Sequence, residues 1–457
     1  MSEAEQATSS VLIVGGGVAA LEAVLALHEL APELVEVTLM SDQGAFEYKA
    51  LSVAKPFGGE TPPPVDLADF SREFDATFLR ERFTALDPDA NLVHCESGAE
   101  VGYDYLLLAI GARPVDALPN AMTFTGSRDT ARFEDLLSQL KQGLVGSVVF
   151  AVPDIVHWAL PLYELAILTA DELAAAEVDA ELTVVTHESR PLSTFGRRAS
   201  GDVAALLERS GIKVITGALP DEVSDDGLSL LGGGFVPAER VVAQPALEVP
   251  SFERLPQGPR GFIGTDTEMR VEGTLNIWAA GDATWFPIKQ GGLAAQQADV
   301  AATVIAARAG ADVQRAPFRP VIRAALLTAD GPHYLRTGIG DREQLSAAGT
   351  EVLWWPPSKV AGRFLAPYLS AKGRETPPGP PLEDLEPLLD ADSTTAQADH
   401  RDAVDLALSA ADAGARWGDF KGALRWLDLA EQLDIVLPSE YARKRRDWQA
   451  ELQQGHS

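Results

Sequence analysis

The sequence predicts an α/β fold: three-layer units of parallel sheet with helices on both faces, then a small α+β domain and a helical tail. Three observations carry this prediction. Short apolar runs of strand length alternate with longer helical stretches, the rhythm of strand–helix–strand units. The rhythm occurs twice, from Val11 to Met40 and again from Gly146 to Thr186. The first run, Val11 to Val14, is continuously apolar, as strands buried on both faces of a parallel sheet are.

The first run is Val11-Leu12-Ile13-Val14, and Gly15-Gly16-Gly17-Val18-Ala19-Ala20 follows it. Gly15 allows a tight turn and Gly17 lets the backbone approach a pyrophosphate. Ala20 takes the third small position, where helix must pack close to strand. The helix from Ala19 to Leu30 aims its free N–H groups and positive dipole end at the phosphate. A second strand, Val35 to Met40, ends where an acid should hold the adenine-side ribose. Ser41 stands at that position, with Asp42 just beyond it. A Gly-x-Gly-x-x-Ala turn alone also fits a plain steric role. The strand before it, the helix after it and the near-acid make dinucleotide binding the favoured reading.

Two later segments narrow this. Tyr103-Asp104-Tyr105-Leu106-Leu107-Leu108-Ala109-Ile110-Gly111 comes first, and Ile277-Trp278-Ala279-Ala280-Gly281-Asp282 second. Gly281-Asp282 alone reads as a turn after a strand. In series, the three motifs resemble the pyridine nucleotide-disulfide oxidoreductase superfamily, whose members bind FAD. The resemblance implies that Tyr103 to Gly111 returns the chain to the first domain beside the flavin, with Ala109 and Gly111 at the cofactor. It implies that Gly281 and Asp282 meet the ribityl chain, a polar chain that needs hydrogen-bond partners in an apolar slot.

Pro287 to Ala298 is similar to the P-x-K-x-G-x-x-A segment of the sulfide:quinone oxidoreductase and flavocytochrome sulfide dehydrogenase branch. A helix starting near Gly292 and Leu293 would point its N-terminus at the pyrimidine edge of the flavin. With Lys289 nearby it would favour the reduced, negatively charged form. The competing reading of Lys289 is a solvated loop lysine. Phe46 to Ala54 resembles the flavin-contacting loop of type II NADH dehydrogenases and sulfide:quinone oxidoreductases, which places Lys49 at the cofactor.

The second unit has Gly146 to Val152 as strand, Leu160 to Ala175 as helix and Leu182 to Thr186 as the next strand. Its turn, Pro153 to Glu164, contains no glycine, so side chains around Trp158 stand where a pyrophosphate would approach backbone. Thr186 occupies the position of the ribose acid, and Glu188 is displaced from it. Either NAD(P)H binds in an unusual way or electrons arrive from another donor. Trp158, Tyr163 and Glu164 line the flavin's exposed face in one reading. In the other, Trp158 and Tyr163 are core aromatics. Lys289, Glu164, Tyr163 and Trp158 are the catalytic candidates.

Cys95 is the sole cysteine, and a thiol–disulfide relay needs two. It sits in a hairpin-like edge beside Glu96, a neighbour that raises a thiol pKa. Seven scattered histidines give no metal-ligand spacing.

Composition bounds the rest. The 457 residues suffice for two or three domains, and 46% hydrophobic with 23% charged is ordinary for a globular chain. A net charge of −30 argues against nucleic acid and anionic membrane as general partners. Met1 to Ser10 is polar, no signal peptide is expected, and the longest apolar stretch is broken by Glu22, so no transmembrane segment is expected. The expected location is cytoplasmic, with peripheral membrane attachment as the alternative.

After the flavin-type segments, Phe318 to Leu327 and His333 to Thr337 read as paired strands, followed by a helix from Asp341 to Ala348. From Val352 to Arg374 there is no acid, yet Lys359, Arg363, Lys372 and Arg374 occur. That stretch either docks an acidic redox partner or a membrane quinone surface, or closes over the flavin and its phosphates. Proline-rich Glu375 to Pro381 opens an acidic linker. His400 to Trp417 is helical, and Gly418 to Glu431 resembles one tetratricopeptide-like unit, which cannot bury its own apolar face. That unit packs on the body or a second copy, or binds a different protein.

The expected division is 10–125 with 255–317 as the FAD domain and 126–254 as a degenerate NAD-type domain. An interface domain over 318–374, a linker over 375–398 and a tail over 399–457 complete it. The expected function is an FAD-dependent oxidoreductase that passes two electrons through flavin to a small quinone-like or protein acceptor, with NAD(P)H open as donor. The alternative is a flavin-binding regulatory or scaffold protein that works through its tail.

Overall fold

The computed structural model describes residues 8–154, 158–338, 346–371, 382–384, 408, 411–412, 415, 420–432 and 437–454. Two five-stranded parallel sheets form its frame. The first runs, in spatial order, Ile277–Ala279, Tyr105–Leu108, Ser9–Val14, Val35–Met40, Thr77–Leu79. Its register sets Val14 opposite both Met40 and Leu108, and Leu108 opposite Ala279. Gly15, Ser41, Ala109 and Ala280 therefore leave the sheet along one edge, the carboxyl edge where ligands bind in open α/β sheets.

The helix Val18–Leu30 covers one face and packs on the helix Gly291–Arg308. Small side chains allow the approach: Ala20, Ala23, Ala294, Ala298 and Ala301 share one buried cluster. On the other face Leu12, Val14, Leu106 and Leu108 pack with Phe83, Val93 and Ile263, partly through the hairpin strands Phe83–Asp87 and Leu92–Cys95.

The second sheet runs Met122–Thr123, Arg240–Ala243, Ser147–Val152, Glu181–Thr186, Lys213–Ile215, all parallel. The helix Leu160–Ala175 has the predicted bounds. Met122–Thr123, just before the expected boundary at 125/126, takes the open edge of Arg240–Ala243, whose backbone groups would otherwise stay unpaired.

Beyond residue 318, Val321–Leu326, His333–Gly338 and Ala347–Gly349 form an antiparallel sheet. Ala347 and Ala348 were expected to end a helix. They are strand instead, because they complete the free edge of His333–Gly338; residues 341–345 of that expected helix lie outside the described residues. Within the expected linker, Glu383–Asp384 pairs with Trp354–Trp355, while 375–381 and 385–398 lie outside the described residues. So does most of 400–417. The last described residues lie in two helices, Phe420–Gln432 and Ser439–Gln454. Ala423, Trp426, Leu427 and Ala430, at helical spacing, bury one face in the same cluster as the second sheet's helix. No helix among the described residues is long and apolar enough to cross a membrane.

Candidate functional site

The first turn is shaped by two glycines with different duties. Gly15 has φ +135°, and a Cβ there would stand 2.0 Å from the Ala109 carbonyl oxygen. It lets the turn cross the returning Tyr105–Leu108 strand. Gly17 has an ordinary φ of −97°. A Cβ there would meet no atom within 4 Å, and the same holds at Gly111, where φ is +66°. Open space thus lies over two neighbouring stretches of backbone at the sheet's carboxyl edge. The helix that starts after Gly17 has no side-chain cap and no acid in its first turn, so its amides face that space with their full anion affinity.

Ser41 is buried, and its hydroxyl accepts the Gln43 amide at 3.1 Å. Asp42 is exposed and pairs with Arg82 at 3.0 Å. Ala20 is fully buried, as a close helix–strand contact requires. Gly281 has φ +82°, and a Cβ there would come within 3.4 Å of Ala19 and 3.5 Å of Ala294. Its amide donates to Gln297 Oε1 at 2.7 Å. Asp282, next to it, is half-buried. Burial raises its pKa, and Lys289 and then Lys49 pull it back. The fold therefore brings Asp282, Lys289 and Lys49 into one electrostatic group. Lys289 itself is buried: Nζ donates to the Thr284 carbonyl and lies 4.2 Å from the Phe262 ring centre. It is not a solvated lysine.

Gly292 and Leu293 are buried at the start of the Gly291–Arg308 helix. The Gln290 side chain accepts the Leu293 amide at 2.9 Å, so this N-terminus arrives partly capped. The C-terminal segment lies directly on it. A Cβ on Gly291 would come within 2.9 Å of Val360.

That segment, Ser358 to Leu365, is fastened from three directions. Tyr48 Oη accepts the Val360 amide at 2.8 Å and meets Ser358 Oγ at 3.2 Å. Glu22 accepts the Phe364 and Leu365 amides at 2.9 and 2.8 Å. Glu164 Oε1 accepts Lys359 Nζ at 2.5 Å and the Leu327 amide at 2.9 Å. Glu22 and Glu164 are both fully buried. Burial pushes Glu22 up to about 8. It pushes Glu164 up and Lys359 down, each partly countered by the other's charge. Glu164 Oε2 has no hydrogen-bond partner among the described residues.

This geometry engages part of the acid-free stretch within the fold. Lys359 pairs with Glu164, and Arg363 lies 3.5 Å from Asp299. Two of its four cations are neutralised within the fold; Lys372 and Arg374 lie outside the described residues.

In the second unit Tyr163 is fully buried, and its hydroxyl donates to Glu188 Oε2 at 2.7 Å. The Thr186 hydroxyl donates to the same oxygen at 3.0 Å. Trp158 is half-buried and packs edge-on against Phe195, with ring centres 5.9 Å apart. Tyr163 is thus a core aromatic, and the acid past the second strand is already engaged. Cys95 ends the hairpin strand Leu92–Cys95, buried, with its thiol raised by burial first and then by Glu81. Glu81, rather than the adjacent Glu96, is the acid that acts on it.

Sequence reasoning missed Gln297, Tyr48, Glu22 and Lys359 as structural parts of the site. A local signal existed for Gln297: two glutamines, Gln296 and Gln297, interrupt an alanine-rich helix. Both are bound to backbone, Gln296 to Val321 through its amide nitrogen at 2.8 Å and its amide oxygen at 2.9 Å.

Comparison with known proteins agrees with this layout. The family described as "Pyridine nucleotide-disulphide oxidoreductase" matches residues 9–309. The sulfide-quinone reductase of Aquifex aeolicus is 27% identical over 205 residues, covering 43% of this chain and 47% of its own length. An NADH dehydrogenase-like protein of Mycobacterium tuberculosis is 27% identical over 290 residues, covering 60% of this chain and 72% of its own. The chain therefore spans about half the length of the first relative. In structure, the sulfide:quinone oxidoreductase of Aquifex aeolicus superposes with a TM-score of 0.64 at 20% identity, over 83% of this chain and 98% of that one.

Proposed function

The chain belongs to the pyridine nucleotide-disulphide oxidoreductase family, and on that premise we propose that it is an oxidoreductase passing two electrons through flavin to a small, quinone-like acceptor without a cysteine relay. Its cofactor is FAD. The observation that carries the reading is the open backbone cradle over Gly17 and Gly111 beside the Asp282–Lys289–Lys49 group. The first-turn amides of Val18–Leu30 would hold the pyrophosphate, Ser41 the ribose side and Asp282 the ribityl hydroxyls. Lys289 and Lys49 would supply positive potential near the flavin, and Gly292 and Leu293 would sit at its pyrimidine end. FAD supplies two-electron acceptance and release; the protein positions it and manages protons.

Glu164 and Lys359 are the pair best suited to the second task. Burial moves their proton affinities towards each other. Quinone reduction consumes protons, and the Glu164 Oε1–Lys359 Nζ hydrogen bond is where this chain's own residues would hold one. Cys95 takes no part in this scheme, since its buried thiol is held protonated. The reading divides the chain into a flavin domain, a second dinucleotide-type domain beginning before Met122, an interface domain and a packed tail. Relatives' names point to quinones and to NAD(P)H. For the donor, the turn from Pro153 to Glu164 and the engagement of Glu188 by Tyr163 speak against tight NAD(P)H binding.

Anaerobic stopped-flow reduction by NADH and NADPH, followed by reoxidation with a soluble quinone, tests this. Slow or weakly saturating bleaching and fast quinone reoxidation are expected. Rapid, saturable bleaching at micromolar NADH would overturn the donor assignment. A folded protein that stays colourless after FAD titration would overturn the whole reading.

A further inference from the structure

The loop between Asp282 and Lys289 carries the two residues assigned above to the flavin. Its midpoint is aromatic: Trp285 and Phe286. The tail reaches this midpoint. Trp426, which is 4% exposed, lies with its ring 5.9 Å from Phe286 and 6.5 Å from Trp285. Phe286 in turn packs edge-on against Phe318 at 5.3 Å. Trp285 is anchored on its far side, with Nε1–H donating to the Thr265 carbonyl at 3.2 Å. Inside the loop, Lys289 Nζ donates to the Thr284 carbonyl and the Thr284 hydroxyl to the Gly281 carbonyl. A displacement of Trp285 or Phe286 thus passes to Asp282 and Lys289 through one or two bonds.

The tail is a unit tied within itself. Asp412 accepts Lys444 Nζ at 2.6 Å and the Tyr441 hydroxyl at 2.7 Å, and Arg445 lies 3.0 Å from Asp428. A unit braced in this way can press one ring onto the loop with little loss of conformational freedom.

We propose that the C-terminal helical unit is a clamp on the flavin loop, with Trp426 as the positioning residue that holds Asp282 and Lys289 in their FAD-binding arrangement. The inference rests on the assignment of FAD to this site and adds a role for a segment beyond the 9–309 family match.

Full-length Trp426→Ala, Trp426→Leu, Trp426→Phe and Tyr441→Phe test it. The readouts are FAD release after dilution, followed by flavin fluorescence, and the shape of the bound flavin's visible band. Loss of two aromatic contacts should speed release roughly tenfold in Trp426→Ala and alter the band, while Trp426→Phe stays within about twofold of the parent. Trp426→Leu keeps apolar volume without a ring and falls between them; it stands in if the alanine variant does not fold. Tyr441→Phe removes one brace inside the tail and, because Lys444 still holds Asp412, speeds release less than Trp426→Ala does. Parental release and an unaltered band in folded Trp426→Ala or Trp426→Leu would overturn the clamp. Failure of the parent to bind FAD would overturn the underlying assignment instead.

Discussion

The two strand–turn–helix units share a frame and differ at the turn. Each places a fully buried glutamate at the fifth position of its helix, Glu22 in Val18–Leu30 and Glu164 in Leu160–Ala175. Each glutamate reaches towards the same C-terminal segment, Glu22 to the amides of Phe364 and Leu365, Glu164 to Lys359. The first turn, however, is glycine with open space above Gly17. The second is free of glycine, and its helix begins Leu160-Pro161, which removes a backbone donor at the N-terminus. The acid beyond its second strand is held by Tyr163. Apolar runs specify the sheet, whereas bare backbone specifies a phosphate site. The first requirement can survive where the second is lost.

Changes at the two turn glycines break the comparison most directly. Gly17→Val should lower FAD affinity at least about 100-fold while leaving the apo fold intact, because the branched side chain enters only open space. Gly15→Ala should fail differently, with a lowered melting temperature, since its Cβ collides with Ala109. Flavin content and melting temperature of the two purified variants separate these outcomes. Asp282→Ala should weaken FAD binding less, by about 1–3 kcal/mol.

A pH series sharpens the contrast between the glutamates. Among the described residues Glu22 has no cation partner, and its pKa rises from 4.5 to about 8. A folded-state value above the unfolded one means that its contribution to stability is complete below about pH 4.5 and is lost as pH rises through about 8. Between about pH 6 and 8 the loss is on the order of 2 kcal/mol. Thermal melts should show stability falling over that window, and Glu22→Gln should flatten the fall. An unchanged slope in Glu22→Gln would assign the pH dependence elsewhere. The smallest effect is expected at Cys95→Ser, which should retain FAD and redox turnover. Loss of turnover with FAD still bound would restore a thiol mechanism.

The frame was legible where sequence is locally redundant. Val35–Met40 and Leu160–Ala175 have the predicted bounds because their apolar patterns leave few alternatives. Ala347–Gly349 misled because alanine favours helix, while the unpaired edge of His333–Gly338 decided for strand. Gly15, Gly17 and Asp282 were named from spacing and from family likeness, and the fold brings them to one edge of the first sheet. Lys359 was not legible as a paired residue, since its partner Glu164 lies 195 residues away and a buried ion pair leaves no local pattern. In an acid-free stretch with three other cations, it read either as a docking charge or as part of a cover over the flavin.

The bonds from Glu22 to Phe364 and Leu365 span 342 and 343 residues. At roughly 5–20 residues per second, a growing chain needs tens of seconds to make its far end available. Throughout that interval the first helix carries a carboxyl whose amide partners do not yet exist. A fragment cut at the end of the family match would remain in that interim state, with the first dinucleotide unit formed in outline and its lock missing.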